Sequence, residues 1–138
     1  MKRIRLLVLL CVAAIALPLG LFQSSAGATG TPLNSVIIQE HVDYDFIGTQ
    51  LDVGLYVRCT GGMGSVIVDV TQYPPETPYP VGAGSGPQIV VCDGKTHTVG
   101  VTITGFGFDA GRAWATADLT TATLGSAHAQ RWVTIIVV

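Results

Sequence analysis

The alternation of apolar and polar residues along 51–59 constrains the fold of this chain most. Successive side chains of a β-strand point to opposite faces, so a period of two predicts a half-buried strand. No segment of the chain has a sustained helical period. The chain is therefore expected to be all-β. The inward positions of this strand are Leu51, Val53, Leu55, Val57 and Cys59.

Turn-forming residues separate several alternating segments. Gly61 to Gly64 predicts a turn between two strands, and Asp93-Gly94 predicts the turn of a hairpin. About seven short strands of this spacing predict a Greek-key, immunoglobulin-like sandwich with one inter-sheet disulfide, and a small closed barrel is the alternative. The seven segments are 36–38, 51–59, 66–70, 89–92, 99–103, 113–119 and 132–138.

The first 28 residues have the pattern of a secretory signal peptide. Three basic residues among the first five precede an apolar run over 6–22 and a small-residue stretch over 23–28. Cleavage after Ala28, or alternatively after Ala26, would leave a β-domain over 29–138. The apolar run is nearly long enough to span a bilayer core of about 30 Å, so an uncleaved membrane anchor is the alternative.

Export determines which cysteines can pair. Cys11 leaves with the signal peptide, so Cys59 and Cys92 are the only cysteines of the mature chain. Secreted proteins fold in oxidising compartments, where such a pair forms a disulfide. We therefore predict a secreted, extracellular protein with a Cys59–Cys92 disulfide, which meets the membrane only during export.

The charge of the mature chain disfavours a nucleic-acid partner. Signal removal leaves four basic residues against nine acidic ones, a net charge of −5. Phosphate binding requires clustered Lys and Arg, whereas these four are scattered along the sequence. A chain of this size is expected to form one domain, monomeric or weakly associating.

Four segments carry a resemblance to a group of secreted proteins. They are Cys59-Thr60, 66–72, 92–97 and 108–113. Together they resemble the uncharacterised small secreted two-cysteine immunoglobulin-like β-sandwich domains of actinobacteria, over most of residues 50–120. The resemblance implies the fold and export. It implies no activity, because no activity is assigned to those domains.

The segment from Tyr73 to Pro87 is the longest predicted loop and the main candidate for a binding surface. Its first half is rich in proline, which stiffens the backbone, so Tyr73 and Tyr79 would lose little entropy on contacting a partner. Its second half is rich in glycine. We expect these tyrosines to contact an extracellular protein or glycan, and a plain connector is the alternative.

Three further aromatic residues, Tyr56, Trp114 and Trp132, are predicted to lie on outward faces of different strands. Coplanar aromatic rings can stack on sugars, so a carbohydrate-binding module is one alternative function. Pairing across strands is the simpler interpretation. Trp114 joins Tyr73 and Tyr79 as the candidate binding residues, and a secreted protease inhibitor presenting the proline-rich loop is the other alternative.

A small polar cluster near the start of the domain is the candidate metal site. His41, Asp43 and Asp45 alternate, so they would share one face of an extended strand. They supply fewer than the about 6 to 8 oxygen ligands that Ca²⁺ takes. We therefore predict no metal and no cofactor, and expect these acids to protect an exposed strand edge from aggregation.

No motif in the sequence indicates catalysis. There is no Gly-x-Ser-x-Gly elbow, no His-Glu-x-x-His pair and no phosphate-binding glycine loop. His97 follows the Asp93-Gly94 turn and is expected to satisfy backbone groups where a strand starts. The prediction is a non-enzymatic protein without catalytic residues.

Overall fold

A computed structural model describes residues 33–47 and 49–138 of the chain. The predicted signal peptide, its cleavage site and the anchor alternative lie outside these residues. The described part is all-β, as the sequence predicts, and contains no helix long and apolar enough to cross a membrane. Its six strands are β1 (Ser35–Asp45), β2 (Gln50–Gln72), β3 (Val81–Gly84), β4 (Gln88–Thr104), β5 (Gly111–Thr121) and β6 (Ser126–Val137).

The strands form one sheet that closes into a small barrel. β1 pairs antiparallel with β2 and, through His41 to Tyr44, parallel with β6. β5 joins β6 to the second half of β2, which completes the circuit. β3 and β4 are attached to β2. The sheet is closed because β1 has a paired strand on each side. The small closed barrel was the alternative to the sandwich in the sequence analysis.

The structure has six strands where seven were predicted, because two expected turns lie inside strands and merge two pairs of predicted strands, whereas β3 was not predicted. β2 continues through Gly61 and Gly62, whose φ angles of 108° and 88° belong to the left-handed region that glycine adopts readily. β4 continues through Asp93-Gly94, where Gly94 has a φ of 82°. The β2–β4 register shifts here and then resumes, so the glycines accommodate bulges, not turns. The predicted 89–92/99–103 hairpin is therefore wrong.

The Cys59–Cys92 disulfide forms as predicted, but between paired strands. Cys59 lies on β2 and Cys92 on β4, with their Cα atoms 4.4 Å apart, at the bulges in both strands. The expected inter-sheet bridge would instead have joined strands on opposite sides of the core. The bulges bring these two inward-facing side chains together.

The core follows the alternation seen in the sequence. All five inward positions predicted along 51–59 are buried, and so are the small side chains Ala113, Ala115 and Ala117 of β5. Their outward neighbours on β5 face the surface or are half-buried. The buried residues form a single apolar cluster, which holds β5 with one face against the core and the other available for contacts.

Candidate functional site

An aromatic cluster forms where the end of β2 meets β5 and β6. Trp114 on β5 lies directly opposite Trp132 on β6 in the antiparallel register, and Thr71 of β2 flanks Trp114 on the other side. Tyr73 follows the last residue of β2 and reaches Trp132 across the sheet. Strand pairing thus brings together residues distant in sequence. We call Tyr73, Trp114, Trp132 and Arg112 the aromatic cluster.

The rings of this cluster are packed edge to face. The Trp114 and Trp132 ring centroids lie 5.2 Å apart at 66°, and those of Tyr73 and Trp132 lie 6.5 Å apart at 68°. The Arg112 guanidinium carbon lies 4.6 Å from the Trp132 ring centroid. Aromatic pairs add about 0.5 to 1.5 kcal/mol each beyond buried area, and an exposed cation–π contact adds about 0.5 to 1 kcal/mol. These contacts restrict the rotamers of the four side chains.

A pocket opens beside the cluster. Its volume is about 150 Å³, which is small for a ligand pocket. Tyr73 and Trp132 remain roughly half exposed, at 43% and 46%. The pocket combines apolar rings, a cation and a carboxylate, and it could hold one side chain of a partner. Its lining consists of Tyr73, Pro74, Pro75, Glu76, Arg112 and Trp132.

The predicted loop from Tyr73 to Pro87 is partly wrong. Its glycine-rich second half contains strand β3, which pairs with β2 from Asp69 to Gln72. The Ser85 side chain accepts a hydrogen bond from the Val68 amide at 2.9 Å, so the chain remains attached to β2 beyond β3. Backbone pairing therefore orders a stretch whose composition indicated flexibility. The connection that remains is 73–80.

Two buried polar side chains hold this connection. The Gln72 amide donates to the Asp109 carbonyl at 2.8 Å, and its oxygen accepts from the Asp109 amide at 2.9 Å. Thr77 is 2% exposed, and its hydroxyl donates to the Tyr79 carbonyl at 2.8 Å. Buried polar groups with good partners fix local geometry. The 73–80 segment is thus anchored at its start and in its middle.

The structure separates the predicted binding residues. Tyr73 and Trp114 belong to the aromatic cluster, together with Trp132. Tyr79 is 68% exposed and is not among the residues that line the pocket. Tyr56 lies in the other half of β2, between Ile37 of β1 and Thr98 of β4. The loop hypothesis and the outward-aromatic hypothesis therefore converge on Tyr73 and the two tryptophans.

Arg112 and Glu76 were not among the predicted binding residues. A signal for Arg112 was present, because it lies two residues before Trp114 on the same strand and alternate residues share a face. No comparable signal existed for Glu76, whose position depends on the path of the 73–80 connection.

The acidic segment on β1 does not protect an edge, contrary to prediction. His41 to Tyr44 pair with β6, and Val42 to Asp45 pair with β2, so hydrogen-bonded strands flank this part of β1 on both sides. His41 and Asp43 face outward as the alternation predicts. Within 33–47 and 49–138, no group of three or more His, Cys, Asp or Glu side chains is arranged to hold a metal ion.

The other two histidines each contact an aspartate. His97 Nε2 lies 2.8 Å from Asp93 Oδ1, so His97 pairs with a side chain and not with the backbone groups expected. That contact, with the Lys95 amide, lowers the pKa of Asp93. His128 Nδ1 lies 2.7 Å from Asp118 Oδ1 across the β5–β6 pair, and this hydrogen bond raises the pKa of His128.

Asp118→Asn should lower the pKa of His128 toward its ordinary value, because the neutral amide no longer favours the protonated ring. A raised folded-state pKa means that the pair adds stability below the unfolded pKa, and that this stability is lost as pH rises through the folded pKa. An NMR titration of the His128 imidazole protons measures the folded-state pKa in the wild type and in the variant. Unchanged His128 titration in the variant would contradict the prediction.

No protein-family model matches the chain, and no curated protein is significantly similar to it. A functional interpretation therefore depends on the site itself.

Proposed function

We propose that the mature chain is a secreted, non-enzymatic binding protein and that its aromatic cluster contacts an extracellular protein. The observation that carries this proposal is the packing of Tyr73, Trp132 and Arg112 around a surface pocket. Trp, Tyr and Arg are the residues most enriched at the energetic centres of protein interfaces. Export is supported by the disulfide, which is compatible with an oxidising, extracellular location.

Preorganisation supports this assignment. Ordering a side chain on binding costs about 0.5 to 1.5 kcal/mol of conformational entropy. The contacts within the cluster already restrict these side chains in the free protein, so less entropy is lost on binding. The inward face of β5 is a row of buried alanines that packs against the core. The cluster residues on β5 and β6 are therefore held by regular strands and not by a loop. We expect one side chain of the partner to enter the small pocket, and the surface around that side chain to contact the aromatic rings.

A protein partner fits the ring geometry better than a glycan. Sugar rings stack on aromatic rings that lie in one plane, whereas the neighbouring rings here are inclined by 66° and 68°. In addition, Arg112 lies over the Trp132 ring. These features disfavour the carbohydrate-binding alternative.

One observation favours a second candidate, the protease inhibitor. The 73–80 connection exposes Tyr79 and four prolines, while the buried Thr77 side chain hydrogen-bonds to the backbone beneath them. An inhibitor requires a rigid, convex loop that presents a side chain to the protease. In that case Tyr79, outside the aromatic cluster, would be the main contact.

A matched pair of variants tests both candidates. The purified 29–138 protein is immobilised, and proteins captured from culture supernatant are identified and their affinities measured. Trp132→Ala and Tyr73→Ala should each weaken binding of the captured partner by about 2 kcal/mol, a roughly 30-fold higher Kd. Each substitution removes an aromatic side chain that the proposal places at the centre of the interface. Tyr79→Ala and Tyr56→Ala, which alter exposed tyrosines outside the cluster, should leave the affinity unchanged.

The pattern of losses separates the outcomes. A loss confined to Tyr79→Ala supports the inhibitor. Equal affinity in all four variants overturns the role of the cluster. Circular dichroism and thermal melting of each variant establish that the fold is retained.

We also propose that the closed sheet is a variant of the immunoglobulin-like sandwich and that the resemblance to secreted actinobacterial domains reflects common ancestry. Strands that bend at bulges and change partners form the corners between two packed sheets. β1, β2 and β4 all contain such register shifts. An experimental structure with two layers about 10 Å apart would support this description.

A further inference from the structure

The outer edge of β4 is a long unpaired strand edge. Among the described strands, β4 pairs with β2 alone, along most of its 17 residues. A strand with one neighbour presents backbone N–H and C=O groups that can bond to another strand. We propose that residues 96–104 of β4 pair antiparallel with the same segment of a second copy of this chain, centred on Gly100.

This segment lacks the features that usually block an edge. The β2–β4 register is unbroken from Thr96 to Thr104, and the bulges lie before it. It contains no Lys, Arg, Asp, Glu or Pro, the residues that discourage edge-to-edge pairing. Pairing two copies here also brings no like charges into direct opposition, although the mature chain is acidic overall.

The sequence of the segment is nearly symmetric about Gly100. Antiparallel pairing centred on that residue places Thr98 opposite Thr102, and Val99 opposite Val101, in both halves of the contact. Thr96 faces Thr104 in the same way. Cross-strand Thr–Thr pairs and pairs of β-branched residues stabilise sheets. A two-fold contact requires this self-complementarity, which favours a second copy over an unrelated strand.

The surface around the centre is open. Gly100 is exposed, and a Cβ atom added there would meet no heavy atom within 4 Å. Nine residues a side are fewer than the about 20 to 30 residues of a standard interface. The association is therefore weak and concentration-dependent, with a dissociation constant in the micromolar range or above.

A cysteine pair tests the register directly. In the proposed pairing the two copies of residue 100 face each other at a Cα separation of about 4.5 to 5.5 Å, within the range of a disulfide. The two copies of residue 98 are offset by four residues, about 13 Å, which is too far. Under mild oxidation of the 29–138 protein, Gly100→Cys should form at least tenfold more covalent dimer than Thr98→Cys. Peptide mapping verifies that Cys59–Cys92 is intact.

Charge pairs provide an independent test. Thr98→Lys/Thr102→Lys puts like charges opposite each other, whereas Thr98→Glu/Thr102→Lys puts opposite charges there. The Thr102 hydroxyl donates to Asp52 Oδ1 at 2.6 Å, so a lysine at position 102 has a carboxylate of its own chain nearby in both variants. Sedimentation equilibrium should show a dimer dissociation constant at least tenfold higher for the first variant than for the second, with Thr120→Lys as the unaffected control.

Three results would overturn the proposal. They are equal cross-linking of the two cysteine variants, equal dissociation constants of the two charge variants, and a wild-type protein that sediments as a monomer up to millimolar concentration. If the wild type is monomeric at millimolar concentration, the remaining candidate partner for the β4 edge is a strand from a different protein.

Discussion

Replacing Cys59 with serine should lower the free energy of unfolding of the β-domain, produced as residues 29–138, by about 2 to 5 kcal/mol. The disulfide closes a loop with a sequence separation of 33 residues, and opening it gives the unfolded chain many more conformations. Both cysteines are almost fully buried, so the loss occurs inside the core. Denaturant unfolding of variant and wild type, each as residues 29–138, measures the difference.

Two other forms of the protein that lack the disulfide serve as controls. Cys59→Ser/Cys92→Ser and the reduced wild type should unfold at denaturant midpoints close to that of the single variant, because all three lose the same cross-link. If the oxidised wild type and the double variant unfold at the same midpoint, the disulfide contributes nothing to stability and the prediction is wrong.

Replacing Tyr44 with alanine should destabilise the domain by about 3 to 5 kcal/mol, the usual range for removing a large buried aromatic side chain. Tyr44 is 1% exposed and is among the largest fully buried side chains. Its ring packs edge to face with Phe46 and Phe108, at centroid distances of 6.3 and 5.9 Å. Thermal and denaturant unfolding give the magnitude.

The matched control for this position is Tyr44→Phe. It keeps the ring and its contacts, so it should cost less than about 1.5 kcal/mol. A similar loss in the alanine and phenylalanine variants would mean that the hydroxyl group, and not the packing of the ring, dominates at this position.

The sequence predicts the inward and outward faces of the strands well. Leu51 to Cys59 and Ala113 to Leu119 have the burial that their alternation implies, because a strand with one buried face must match the core at every second residue. The disulfide is predicted equally well, because the predicted removal of the signal peptide would leave only two cysteines to pair.

The partners and lengths of the strands could not be predicted in this way. Gly61-Gly62 and Asp93-Gly94 have the composition of turns, and only the continued pairing of β2 with β4 makes them bulges. The aromatic cluster depends on the same long-range information. Tyr73 meets Trp132 because β5 lies between β2 and β6, and no local pattern specifies that order.

The parallel pairing of β1 with β6 makes closure of the barrel depend on a contact between segments that are distant in sequence. His41 to Tyr44 gain their second neighbour only when Thr134 to Val137 are available. Contacts between segments so distant in sequence close large loops and form slowly. The barrel therefore stays open until β6 has been synthesised and has reached β1, so β1 has only one paired edge in every species that precedes this contact.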